Sequence, residues 1–420
     1  MKRAVVTGLG FITSVGNDRA AVLRSLRECR TGIELFPELI AANSPVQLAG
    51  TVKGFSFPTP DFEDWTMPAE SQLPREQMRS MTPNALYAHA AMQQAIRAAQ
   101  LSPAHVTSTR TSLMTASGGS LWLAYENLRT LHTRGLQRCQ PLAVVNSIPG
   151  SLYINLAALY HVRGGALGFS SACASSAHAL GTSCDLIRLG RQDIVFAVGA
   201  EDCNPCTILP FAGIRALSLQ TDPTRYPCAF DVKRDGFVGT GGATVLVIEE
   251  LDHARQRGAP ILAELLGWGQ SSDGFNVVAP DPTGDGLTRA MQLALDDAGL
   301  QPGDVDYINA HATGTTIGDI SECRAIHHVF GDTHRPLVSS TKSLTGHGLS
   351  LAGAMEAAFC CLALQEKFTP VSAHITELDP QCANVAIVTQ PVTTAPRVAL
   401  SNSSGFGGSN VCLAFRAWES

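Results

Sequence analysis

The sequence predicts an α/β fold made of two diverged copies of one strand–loop–helix unit, meeting near residues 250–260. Three observations predict it. Short apolar runs of strand length alternate with helical stretches along the whole chain, the pattern of an α/β protein. The order starts again after residue 260 with a strand, an amphipathic helix and a second strand. The second amphipathic helix also ends in Leu293-Ala294-Leu295-Asp296-Asp297-Ala298-Gly299-Leu300, an echo of Gln94-Ala95-Ile96-Arg97-Ala98-Ala99-Gln100-Leu101 in the first. The two halves are placed at residues 1–255 and 256–420. At 420 residues the chain has room for such a duplication, and 45% hydrophobic against 16% charged residues suits a large enzyme with much buried surface.

In chain order, Arg3 to Thr7 reads as a buried strand ending in Gly8-Leu9-Gly10. A dinucleotide site would continue to a third glycine, but Thr13 stands there, so the glycines are expected to make a plain strand-to-helix turn. Asn17 to Glu28 is expected as a helix, and residues 35–75 as an irregular surface excursion. Pro83 to Leu101 reads as an amphipathic helix and Thr111 to Thr115 as a strand. Another excursion should run to Pro141, with a helix over Ser151 to Leu159. A strand leads into Gly168-Phe169-Ser170-Ser171-Ala172-Cys173, and a small-residue helix leaves it for Arg188. Strands Asp193 to Gly199 and Val245 to Glu249 and a short helix, Leu251 to Arg257, close the first half. The second half reads as strand Ile261 to Trp268, helix Asp285 to Leu300, strand Val305 to Asn309, strand Leu337 to Ser340, a small-residue helix Leu351 to Leu362, and strands Val398 to Ser401 and Asn410 to Phe415.

A net charge of −6 argues against a nucleic-acid partner. Twelve cysteines without framework spacing fit reduced thiols in a cytoplasmic protein. Cys203-x-x-Cys206 lacks a second pair of ligands and reads as structural. The amino-terminal segment goes straight into a strand without the pattern of a signal peptide, and no apolar run approaches the roughly 20 residues of a membrane span.

Cys173 sits between a strand and a helix start, where unpaired N–H groups favour a thiolate. His311 ends a strand and is followed by Thr313, Gly314 and Thr315. His347 lies five residues after Lys342 in a turn of glycine and hydroxyl residues. In a duplicated fold the Cys173 and His347 corners match, so a pseudo-twofold would bring both to one cleft. A zinc site fits poorly beside Lys342, and a cysteine protease has no use for a second histidine. Two neutral imidazoles suit donation of hydrogen bonds to a carbonyl oxygen becoming an enolate, which is carbon–carbon bond chemistry on a thioester. Gly405-Phe406-Gly407-Gly408 fits that picture as a loop whose backbone N–H joins that of Cys173 in an oxyanion hole.

Over essentially its whole length the chain resembles the β-ketoacyl-acyl carrier protein synthases of the thiolase superfamily. The resemblance is carried by Ser171-Ala172-Cys173-Ala174-Ser175, Asn309-Ala310-His311 with Gly318-Asp319, Ser339 through His347, and Asn402 through Gly408, with Arg234-Asp235-Gly236-Phe237 and Ser271-Ser272-Asp273-Gly274 beside them. It implies a five-layered αβαβα fold and a dimer, homomeric or with a related synthase subunit. It implies that Cys173 takes an acyl chain from acyl carrier protein and that His311 and His347 hold the malonyl thioester while CO2 leaves. Lys342, together with Glu356, would set the charge near His347. Thr313 and Thr315 would hold the phosphopantetheine arm that brings the substrates, and no bound cofactor or metal is implied. Phe406 would gate an acyl tunnel together with the loop Asp273 to Pro280. An acidic carrier protein needs basic residues to dock on, and Arg75, Arg79, Arg134 and Arg138 are the candidates.

The chain departs from the family pattern at Ala312, Ser404, Ser350 and Leu351, with Ser117 expected near the acyl pocket. These changes leave the chemistry intact and point to an acyl preference away from ordinary long saturated chains, as in polyene or polyketide assembly. A non-elongating chain-length subunit would lack Cys173, and a degradative thiolase would need a second cysteine where Ser404 and Gly405 stand.

Overall fold

The computed structural model describes residues 1–392 and 394–419. Ten strands and six helices make up its frame, and a short edge strand, Ala386–Ile387, adds an eleventh to the main sheet. The first half runs β1 (Ala4–Ile12), α1 (Pro83–Ala98), β2 (Thr111–Ala116), α2 (Ser151–Tyr160), β3 (Ala166–Phe169), α3 (Ser175–Arg188), β4 (Ile194–Glu201) and β5 (Gly242–Glu250). The second runs β6 (Ala263–Ser272), α4 (Asp285–Ala298), β7 (Tyr307–Asn309), α5 (Thr316–Phe330), β8 (Leu337–Ser339), α6 (Ala352–Glu366), β9 (Val398–Gly405) and β10 (Ser409–Ala417).

The strand orders β3-β2-β4-β5-β1 and β8-β7-β9-β10-β6 are the same order written twice. In each half the first two pairings are parallel and the last two antiparallel. The two sheets meet where β1 and β6 pair antiparallel over Ala4–Leu265, Val5–Glu264 and Val6–Ala263. Helices α3 and α6 pack on each other and on strands of both sheets, while α1 with α2, and α4 with α5, cover the outer faces. The result is five layers, αβαβα.

The central layer explains the small residues of α6. A Cβ on Gly353 would lie 2.6 Å from the backbone nitrogen of Ala177, so the two central helices touch backbone to backbone there. Every residue of α6 from Ala352 to Leu364 is buried. One stretch, Leu349–Glu366, is long and apolar enough to cross a membrane, but 89% of it is buried inside the fold, which makes it a core helix.

Several sequence expectations change. Gly8-Leu9-Gly10 is not a turn. It lies inside β1, where a Cβ on Gly10 would come 1.9 Å from the carbonyl oxygen of Ala91 and one on Gly8 2.5 Å from that of Ala95. The glycines let α1 sit directly on the strand. Residues 35–75 are not simply a surface excursion, because Ile33–Leu35 pairs with Leu48–Gly50 and Leu39, Val46 and Leu48 are buried. The stretch before Pro141 contains a helix, Leu121–Arg134, and α5 had no counterpart in the sequence reading.

Candidate active site

The fold carries Cys173, between β3 and α3, and His347, between β8 and α6, to the same place from opposite halves. His347 Nε2 lies 3.0 Å from Cys173 Sγ. The ring of His311, just past β7, meets the His347 ring edge-on at 5.2 Å between centroids. Ligand atoms of the three side chains all fall within 4.8 Å of one another. That spacing would admit a cation, but the buried Lys342 ammonium beside it opposes one.

Each group is held by the local chain. Ala172 adopts a left-handed φ of 51°, which turns the chain sharply in front of Cys173. The turn is tied by Ser171 N–H donating to Ser175 Oγ at 2.8 Å and by Ser175 Oγ–H donating to the Ala172 carbonyl at 2.6 Å. The His347 backbone bridges to the first half: its N–H donates to Val238 O at 2.7 Å, and its carbonyl accepts from Thr240 N–H at 3.0 Å. Phe237 lies edge-on to its ring at 5.1 Å. The His311 loop is pinned by the buried Glu322 carboxylate, which accepts from His311 N–H at 2.9 Å and Ala312 N–H at 2.7 Å. Asp319, one turn earlier on α5, accepts from Gly314 N–H at 3.1 Å.

Electrostatics then set protonation. Burial first, and the Lys342 ammonium second, hold both His311 and His347 well below the ordinary imidazole value, so both rings are neutral. Lys342 is itself buried in an ion pair with Glu356. Burial pushes Glu356 up to about 7 against the pull of Lys342. Burial also pushes the Cys173 thiol up to about 12, with Lys342 offsetting only part of it. The expected thiolate at a helix start is therefore corrected. Cys173 stands two residues ahead of Ser175, in an apolar cluster with Ile208, Phe237 and Leu349, and it is a protonated thiol facing an imidazole.

A cavity of about 390 Å³ opens from this cluster to the surface. Thr313, Thr315, Ser404 and Phe406 line it together with Cys173, His311 and His347. The two threonine hydroxyls are 3.1 Å apart. Gly405 abuts the nucleophile turn: a Cβ there would lie 2.8 Å from Ser171 O and 3.1 Å from Cys173 N. Two backbone bonds lace the glycine loop to the Asp273–Pro280 loop, Gly407 N–H to Val277 O and Asp273 N–H to Gly408 O, both 2.9 Å. The Phe406 ring rests 5.8 Å from that of Phe211.

Ser117 does not line this cavity. It is buried and accepts from Asn84 Nδ2 at 2.6 Å. Arg75, Arg79, Arg134 and Arg138 are exposed and do not line the cavity, and Arg75 is paired with Glu63. The basic residue that does line it is Arg215, which the sequence reading missed, as it missed Glu322. The one signal for Glu322 is its i, i+3 spacing from Asp319 at the start of α5, which aims both carboxylates at the loop before the helix.

Five layers that set a thiol against two neutral imidazoles across a pseudo-twofold define an enzyme of the thiolase type, one that parks an acyl group on sulfur. Residues 1–254 match the N-terminal domain of β-ketoacyl synthases and residues 262–376 their C-terminal domain, so the chain belongs to the β-ketoacyl synthase family and is a condensing acyltransferase. It is 40% identical to 3-oxoacyl-[acyl-carrier-protein] synthase 1 of Haemophilus influenzae, with both chains covered in full. It superposes on the crystal structure of a β-ketoacyl synthase from Burkholderia phymatum with a TM-score of 0.91, at 32% identity over all of both chains. A ketosynthase of a type II polyketide system, solved with its acyl-carrier protein, matches with a TM-score of 0.87, at 26% identity and full coverage of both chains.

Proposed function

We propose that the enzyme joins a Cys173-bound acyl chain to malonyl-acyl carrier protein by decarboxylative condensation. The half at residues 1–255 supplies the nucleophile and the half at 256–420 the enolate chemistry. His347 takes the Cys173 proton, the sulfur attacks the acyl thioester of the carrier protein, and His347 hands the proton to the departing carrier thiol, which leaves the ring neutral again. His311 and His347, as neutral imidazoles, then donate to the malonyl thioester oxygen. The bond to the malonyl carboxylate breaks, CO2 leaves, and its electron pair becomes the enolate. The enolate carbon attacks the Cys173 acyl carbonyl, whose oxyanion rests on the backbone N–H groups of Cys173 and Phe406. The C–S bond breaks, the Cys173 thiolate takes up one proton from water, and the 3-oxoacyl product leaves on its carrier two carbons longer.

Lys342, balanced by Glu356, keeps the imidazoles neutral. Thr313 and Thr315 hold the phosphopantetheine arm, and Phe406 moves with the Asp273–Pro280 loop to admit the acyl chain. The carrier protein docks around the cavity mouth and on Arg75, Arg79, Arg134 or Arg138, and the enzyme works in the cytoplasm as a dimer. The observation that carries this reading is the 3.0 Å approach of His347 to Cys173 beside a second neutral histidine. The test is malonyl-carrier decarboxylation and condensation by wild type, Cys173→Ala and His311→Ala. Condensation lost and decarboxylation retained in Cys173→Ala supports it; condensation unchanged in that variant refutes it.

The acyl preference is proposed to lie away from long saturated chains. Ser404 on the cavity wall supports this: its hydroxyl donates to Asn410 Oδ1 at 2.7 Å, a polar feature beside the gate. A chain-length series in which long saturated acyl groups are elongated as well as unsaturated or polyketide ones would reject it.

A further inference from the structure

His178, in the first turn of α3, has no role in the condensation described above. Its contacts single it out among the histidines outside the catalytic cluster. Nδ1 lies 2.8 Å from the Ser171 hydroxyl and 3.2 Å from the Ala174 carbonyl oxygen, and Nε2 lies 3.0 Å from Gln270 Oε1. The Ala174 contact is ordinary within a helix, because it reaches back one turn. The Ser171 contact spans seven residues and leaves the helix for the turn that presents Cys173. The Gln270 contact crosses to the other half of the molecule.

That turn needs an external hold. Ala172 sits in a left-handed conformation that a residue with a side chain disfavours, and such geometry persists only where its surroundings over-determine it. Ser171 precedes it, and the Ser171 carbonyl forms the wall against which Gly405 packs. A shift of Ser171 therefore moves the Cys173 nitrogen and the glycine loop relative to each other. The Gln270 side chain is exposed, but its backbone is firmly held. It lies on β6, paired with Val411 of β10, and three residues on Asp273 bonds to Gly408 and to Asn410 Nδ2. Two residues back, Trp268 of the same strand packs edge-on to the His178 ring at 6.1 Å. It fits there because α3 has glycine at position 181, where a Cβ would lie 2.2 Å from the indole.

The geometry points to His178 as a positioning residue for acyl transfer, a strut that fixes the Cys173 turn to β6 through Ser171 on one side and Gln270 on the other. It touches neither substrate nor the reacting atoms. Its effect falls on steps that use the sulfur and the adjoining backbone N–H groups, and it spares decarboxylation, which belongs to His311 and His347. This assignment rests on the condensation reading only for the identity of the acyl donor.

The test separates the two ring nitrogens. Asparagine places a polar atom where Nδ1 stands, and glutamine places one where Nε2 stands. Acyl transfer from an acyl-carrier thioester to Cys173, iodoacetamide alkylation of Cys173 followed by mass spectrometry, and malonyl decarboxylation are measured for each variant. His178→Ala should lose acyl transfer by about 10- to 100-fold, the scale of a misplaced reacting group, with decarboxylation within about twofold of wild type. His178→Asn, which keeps the Ser171 contact but not the Gln270 one, should recover part of the transfer, and His178→Gln little. Alkylation, which needs no carrier protein, should fall in the same order, so it reports on His178 even if the wild type accepts no acyl-carrier substrate. Equal rates in the Asn and Gln variants, or a parallel fall of decarboxylation and acyl transfer in all three, would overturn the assignment.

Discussion

The two halves are the same scaffold used for different chemistry. At the corner between the third strand and the central helix, the first half places Cys173 and the second places His347. After the second strand, the first half runs into Ser117 and Gly118 and the second into Ala310 and His311. In the proposed mechanism one half supplies the nucleophile, and the other supplies two hydrogen-bond donors with the Lys342–Glu356 pair behind them. The scaffold itself is kept alike where it must pack: Gly8 and Gly10 on β1 have counterparts in Gly267 and Gly269 on β6. A Cβ on Gly269 would lie 2.2 Å from Ala290 O, as one on Gly10 would lie 1.9 Å from Ala91 O. Duplication conserved the backbone contacts and let the corners diverge.

The sharpest way to break this division is to disable one half at a time. Removing the nucleophile with Cys173→Ala should lower condensation by about 10⁴-fold or more while CO2 release from malonyl-carrier protein continues, as followed with labelled malonate. His311→Ala should lower decarboxylation by about 10²- to 10³-fold, the cost of one donor to a developing oxyanion, and leave alkylation of Cys173 in place. If both variants lose both activities equally, the division of labour between halves is wrong.

The packing equivalence is tested by Gly10→Ala and Gly269→Ala. Each forces a methyl against helix backbone, and each should cost about 1–3 kcal/mol of stability in urea denaturation. A large cost in one and none in the other would show that the glycines do not perform the same task. The smallest expected effect is a pH shift. Burial holds both histidines low and Lys342 adds to it, so Lys342→Ala should raise them part of the way, and the acid limb of decarboxylation should move to higher pH. The sign is the same for stability. Histidines depressed in the folded state add stability that is full above about pH 6.5 and fades as pH falls below it, and the variant should lose less of it on acidification.

Most of the frame was legible because its signals are local. The run into Cys173, the small-residue helix behind it and the loop at His347 all announce themselves through glycine, alanine and strand-length apolar runs. What stayed hidden depends on partners distant in the chain. The Gly8-x-Gly10 strand reads as a turn until α1 is laid on it. Helix α5 lacks a clean apolar face because Asp319, Ser321 and Glu322 are buried among its apolar residues, where they serve neighbouring loops. The helix Leu121–Arg134 breaks the rule in the other direction, with Leu121, Tyr125 and Leu128 exposed. At the site, Cys173, His311 and His347, which the fold brings together, were readable from their turns. The protonation state of the thiol was not, since it follows from Ile208, Phe237 and Leu349 closing around the sulfur.

That closure has a consequence for the life of the enzyme under oxidative stress. Peroxides attack thiolates, and oxidation to sulfenic acid begins from the ionised sulfur. A thiol pushed up to about 12 is a poor target while the site waits for substrate. In the proposed mechanism the sulfur becomes an anion only as an acyl group arrives or leaves, so inactivation by peroxide should be faster during turnover than in the idle enzyme.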